Sequence, residues 1–151
     1  MASIWTNKGV YLVMSGQVDL DGTTGMKMML LKNTLTPAKT DNFASDISAH
    51  ECTATNYTGG FGGGGRKALT SRTVTEDDTN NRGAFDAADL TWTALGGATN
   101  NTLRHTATIV EITNDAASPV LFYNDMGSDQ NTNGSDFSIV VAAAGLALIT
   151  T

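Results

Sequence analysis

The chain has 151 residues, a formal net charge of −6, 40% hydrophobic and 16% charged residues, and one cysteine. Its densest basic cluster, Arg66, Lys67 and Arg72, is too small to track nucleic-acid phosphates, so no nucleic-acid partner is expected. One cysteine excludes an intrachain disulfide and a cysteine-based zinc framework, and no apolar run reaches the ~20 residues of a membrane-spanning helix.

Met1–Met14 carries one charge, Lys8, and no small-residue cleavage pattern, which predicts synthesis and folding in a cytoplasm. This segment reads either as a first strand at Val10–Met14 or as an extended arm laid on a partner. Trp5 suits an interface anchor, and equally a cap on the chain's own core. Gln17–Gly25 is turn-rich. Asp19-Leu20-Asp21-Gly22 resembles the start of a calcium loop, but Thr24 and Leu30 stand where that loop needs Gly and Glu. A turn at Asp21-Gly22 is the better reading.

Met26–Lys32, MKMMLLK, has the length and apolar character of a strand buried on both faces, its methionines filling the core. Thr40–Glu51 is the only predicted helix, capped by Asp41 or Asn42, with Phe43 and Ile47 on one face. His50, Glu51 and Cys52 follow one another, and His105 is the other imidazole. Zinc needs three or four convergent ligands, and a Cys–His nucleophile needs an orienting third group, which no spacing here supplies. Cys52 reads as a small buried hydrophobe.

Gly59–Gly65, GGFGGGG, satisfies G-x-G-x-x-G by composition alone. The dinucleotide motif needs a helix to follow, whereas Arg66–Thr70 reads as strand. The segment is predicted to be a mobile loop whose backbone passes close to another surface. Arg66–Thr75 alternates small, β-branched and polar residues as a strand does. Glu76–Gly83 is turn chemistry, and Ala84–Asp86 and Leu90–Leu95 read as returning strands, the latter with Leu90, Trp92 and Ala94 on one face.

Leu103–Thr113 is a predicted strand with Thr106, Thr108, Val110 and Ile112 on one face and His105, Ala107, Ile109 and Glu111 on the other. Pro119–Asn124 is the next, and Gly127–Gly134 reads as a polar hairpin-like loop. Asp136–Ala142 and Leu146–Thr150 then pair with each other, or form one strand broken at Gly145. The expected fold is all-β, a mainly antiparallel sandwich or barrel, with at most one short helix near residues 41–50. Residues 1–14 form an arm or first strand, and residues 15–151 a single β domain. The carboxylates Asp77, Asp78, Asp86 and Asp89 lie in turn sequence, so no enzyme, cofactor or metal is expected.

Several ordered blocks carry a family resemblance. They are Gly16-Gln17-Val18-Asp19-Leu20, Ser45-Asp46-Ile47, Tyr57-Thr58-Gly59-Gly60-Phe61-Gly62-Gly63, and Phe85 through Ala94, with Ser118-Pro119-Val120-Leu121 and Thr132 through Phe137 after them. From about Gly9 to Thr150 the chain resembles a widespread family of small structural virion proteins of tailed bacteriophages. Thr113-Asn114-Asp115-Ala116-Ala117 departs from the apolar strand and TGT-like turn that many members carry there.

The resemblance implies a capsid decoration, or cement, protein at the virion surface, made in a bacterial host's cytoplasm. Its implied partners are the major capsid protein and other copies of itself, as a dimer or trimer. A tail, neck or fibre-associated virion protein that binds host-surface glycans is the alternative. The candidate docking residues are Ile4, Trp5 and Tyr11 of the N-terminal segment and Phe61, Gly62, Gly63 and Arg66 of the glycine loop.

Overall fold

The computed structural model describes residues 2–150. Its largest sheet is built on the apolar run, β2 (Met26–Lys32), which pairs antiparallel with β7 (Thr102–Val110). β7 pairs in turn with β8 (Val120–Asn131), and β8 with the N-terminal strand β1 (Ala2–Trp5). A two-residue strand, β3 (Lys67–Ala68), completes the order β1-β8-β7-β2-β3. The remaining strands are β4 (Thr73–Asp77), β5 (Arg82–Asp86), β6 (Leu90–Trp92), β9 (Phe137–Ile139) and β10 (Ala147–Thr150). They form a three-stranded sheet, β10-β5-β4, and a two-stranded sheet, β6-β9.

Period-two alternation sends the large sheet's side chains to two cores. Met28 and Leu30, with Phe122, join Phe85, Leu90, Trp92, Ile139 and Ala147 of the smaller sheets in the main cluster. Met29, Leu31, Ala107, Ile109 and Tyr123 face the other way, onto Leu35, Ala44 and Ile47. The fold is therefore all-β and antiparallel, with the large sheet covered on both faces. β2 is buried on both, as its sequence predicts. The predicted alternation on β7 also holds, since Thr108 lies opposite Met28 and Thr106 opposite Leu30.

The N-terminal segment differs from the expectation. The strand lies at Ala2–Trp5, and Val10–Met14 belongs to a helix, α1 (Asn7–Met14), so the limit of one helix near residues 41–50 is corrected. Thr6 supplies the N-cap, its Oγ1 accepting the Gly9 N–H at 2.8 Å. The helix ends in a Schellman motif at Gly16 (φ +69°): the Gly16 N–H reaches Val13 O and the Gln17 N–H reaches Leu12 O. Gly9 faces the backbone of β8, where a Cβ would stand 2.1 Å from Leu121 O.

The predicted Thr40–Glu51 helix shrinks to one turn, α2 (Ala44–Ile47), followed by a 3-10 turn at Ser48–His50. Asp46 Oδ2 accepts the N–H groups of Asn42 and Phe43, so the cap comes from inside the turn and not from Asp41 or Asn42. The strand expected over Arg66–Thr75 is two strands in two sheets, with Ser71 at φ +50° between them. The turn expected over Glu76–Gly83 narrows to residues 78–81, and Ala94 (φ +50°) ends the strand begun at Leu90.

β8 runs on through much of the predicted Gly127–Gly134 loop, with a bulge where β7 passes from Leu103 to His105. β9 and β10 do not pair with each other. β9 pairs with β6 and β10 with β5, because Gly145 (φ +104°) turns the chain from one small sheet to the other. Among the described residues no helix is long and apolar enough to cross a membrane.

Candidate docking surface

Arg66 follows the glycine run and points into the protein. It is 3% exposed, and no residue that buried can dock a partner, so its expected docking role is corrected. Its Nε and Nη2 donate to Glu51 Oε1 and Oε2, both at 2.8 Å. Nη1 and Nη2 donate to Asp115 Oδ1 and Oδ2 at 2.6 and 3.2 Å, and Nη1 lies 3.4 Å from Glu111 Oε1. Two bidentate forks on one planar guanidinium use a geometry that lysine cannot reproduce. Burial works against the Arg66 charge, but the hydrogen bonds from Glu51 and Asp115 outweigh it and hold its pKa above the ordinary arginine value.

The same carboxylates hold the loop. Glu51 Oε2 accepts the Gly60 N–H at 3.0 Å, and Glu111 Oε1 accepts the Gly62 N–H at 3.1 Å. Lys27 pairs with Glu111 from β2. Burial raises the Glu111 carboxyl, but Lys27's hydrogen bond, the Gly62 N–H and the charges of Lys27 and Arg66 pull it lower, to a net value below the ordinary one. Tyr57 Oη donates to Glu51 at 3.1 Å and accepts the Leu30 N–H at 3.2 Å. Burial, then the Glu51 charge, raises its phenol well above its usual range.

At the loop's end Trp92 Nε1 donates to Gly65 O at 2.6 Å. The expected mobile loop is thus pinned along its length. Its glycines do permit close passage: a Cβ on Gly63 would stand 2.2 Å from Thr58 O. Between the two carboxylate-bound glycines, Phe61 projects to solvent.

The other docking candidates separate into two groups. Ile4 packs into the second core from β1, opposite Tyr123. Trp5 lies 4.9 Å from the Phe122 ring, and its Nε1 donates to Leu148 O at 3.2 Å. Both serve this chain's own sheets. Tyr11 faces outward from α1, beside Val10 and Met14, so positions 10, 11 and 14 form an apolar stripe at helical spacing.

One groove runs beside the helix, and Glu111, which holds Gly62, is part of its wall. It is lined by Leu12, Gln17, Val18, Val110, Ile112 and Pro119, and Gln17 Nε2 lies 3.3 Å from Tyr11 Oη. Ile112 adjoins Glu111, which holds Gly62. Tyr11, Ile112 and Phe61 are 57%, 58% and 47% exposed, which leaves them available to a partner. Local sequence showed neither Ile112's place here nor the partners of Arg66, which lie 15, 45 and 49 residues away along the chain.

The residues considered for chemistry diverge. His50 Nδ1 is 3.0 Å from Thr34 Oγ1 at the surface, Glu51 turns in to Arg66, and Cys52 is buried, which raises its thiol pKa. His105 lies across the large sheet on β7, opposite Leu31 and Asp125. Among the described residues no group of three His, Cys, Asp or Glu is arranged to hold a metal ion. No family model, curated protein or solved structure matches the chain.

Proposed function

We propose that this chain is a bacteriophage capsid decoration protein, docking on the major capsid protein through the face that carries Tyr11, Ile112 and Phe61. The observation that carries the reading is exposed apolar side chains on rigid supports: Tyr11 on a capped helix, and Phe61 on a loop pinned by buried carboxylates. A side chain held in place before binding loses little freedom on docking, so a small contact gains affinity from preorganisation. Many copies on a lattice then add avidity. The sequence blocks from Gly16 to Phe137 support the same reading through their resemblance to phage virion proteins.

The test is co-sedimentation of the purified chain with empty phage heads, with Tyr11→Ala/Phe61→Ala as the control variant. Both side chains are exposed, so each substitution should change folding stability by only about 0.5 kcal/mol. The expected result is binding in hundreds of copies per head and its loss in the double variant. Heads that bind no copies, or binding confined to about a dozen copies at the tail, would overturn the shell reading and favour the tail or fibre alternative.

A further inference from the structure

The three-stranded sheet ends in an open edge. Its order is β10-β5-β4, and among the described residues nothing pairs with the outer side of β4. Thr73, Val74, Thr75 and Glu76 are all exposed, and Val74 is half uncovered. An edge strand with unpaired N–H and C=O groups is a template for another strand.

Charge is distributed unevenly along this edge. Arg72 stands just before β4, and Glu76, Asp77 and Asp78 at its far end. Asp77 is taken by Arg82. Glu76, Asp78 and Arg72 make no ion pair among the described residues; Arg72 instead donates to Thr23 O at 2.6 Å.

We infer that β4 is a self-association strand, pairing antiparallel with β4 of a second copy about a two-fold axis through Thr75. Thr75 is the midpoint of Thr73–Asp77. In that register Val74 of each copy lies opposite Glu76 of the other and Thr73 opposite Asp77, and one residue beyond each strand end Arg72 is brought beside Asp78. No two like charges are directly opposed. A parallel pairing in register would stack Glu76, Asp77 and Asp78 on their own copies, and like charges directly opposite are destabilising. A strand that is basic at its start and acidic at its end is complementary to itself only when reversed. The product is a continuous six-stranded sheet with isologous symmetry. The inference stands independently of the shell reading, because it needs only a second copy of this chain.

Sedimentation equilibrium on the full chain tests it, at low and high salt. The expected result is a dimer that weakens as salt screens the terminal pairs. Arg72→Asp and Asp78→Arg should each weaken dimerisation roughly tenfold. An equimolar mixture of the two variants should recover it as a heterodimer, since each mixed pair then joins opposite charges. The double variant should recover it as a homodimer. Asp78 is an exposed turn residue, so Asp78→Arg alone keeps the test valid if Arg72→Asp fails to fold. A monomer at concentrations on the order of 1 mM in low salt, or a dimer indifferent to Asp78→Arg, overturns the inference.

Discussion

Arg66 holds Glu51 by both carboxylate oxygens, at 2.8 Å each, in a part of the protein where both side chains are almost wholly buried. The pair ties the residue after the glycine loop to the residue after the 3-10 turn. Removing one partner strands the other charge, which costs about 3–5 kcal/mol. Arg66→Ala is therefore expected to lower the urea unfolding free energy by that amount. Arg66→Lys should recover only part of it, because an ammonium cannot reproduce the two forks. A loss under about 1 kcal/mol in Arg66→Ala would mean that the cluster is solvated and does not hold the loop.

Acid is expected to weaken the protein in two stages. His105 has its pKa lowered, mainly by burial, from an ordinary 6.5, and Glu111 has its carboxyl lowered from an ordinary 4.5. In both cases the unfolded chain binds the proton more readily than the folded one, so stability rises with pH across the window. The Glu111 contribution is complete above pH 4.5 and is lost as pH falls through the lower folded value. The His105 contribution is lost over the window that opens below pH 6.5. Urea midpoints measured from pH 7 downward should fall first through the His105 window and then through the Glu111 window. His105→Gln should remove the upper stage, and Glu111→Gln the lower one.

Gly9→Ala offers a test in which helix propensity and packing disagree. In a free helix the change is worth about 1 kcal/mol in favour of alanine. Here the added Cβ would meet Leu121 O at 2.1 Å, so α1 must lift from β8. Overpacking of this kind costs about 1–3 kcal/mol. Thermal unfolding of the variant should show net destabilisation, and a stabilised variant would mean that α1 is not seated as described.

Thr108→Val is expected to behave in the opposite way. Thr108 is fully buried on β7, and its Oγ1 has no hydrogen-bond partner among the described residues. An unpaired buried hydroxyl costs about 1–3 kcal/mol, and valine fills nearly the same volume without it. The variant should unfold at equal or higher urea concentration. A clear loss of stability would show that the hydroxyl is bonded.

How much of this was legible depended on how local its causes were. Met26–Lys32 could be read as a doubly buried strand because an unbroken apolar run carries that information within itself. The two faces of β7 followed from period-two alternation. α1 was missed because Gly9 and the apolar residues on both sides obscure its period. Its signals were the brackets, Thr6 as cap and Gly16 as stop. Arg66 looked like an exposed cation after a glycine run, since its carboxylates come from three distant segments. The partners of β9 and β10 were equally hidden, because strand pairing between small sheets is decided by how layers stack.

Leu148 has both of its backbone groups engaged by β1 side chains: Trp5 Nε1 donates to its carbonyl, and its N–H donates to Ser3 Oγ. The first and last strands are thus buttoned to one another, although they belong to different sheets. Neither can fray while the other stays shut, so amide exchange at Leu148 and along β1 should speed up or slow down in step.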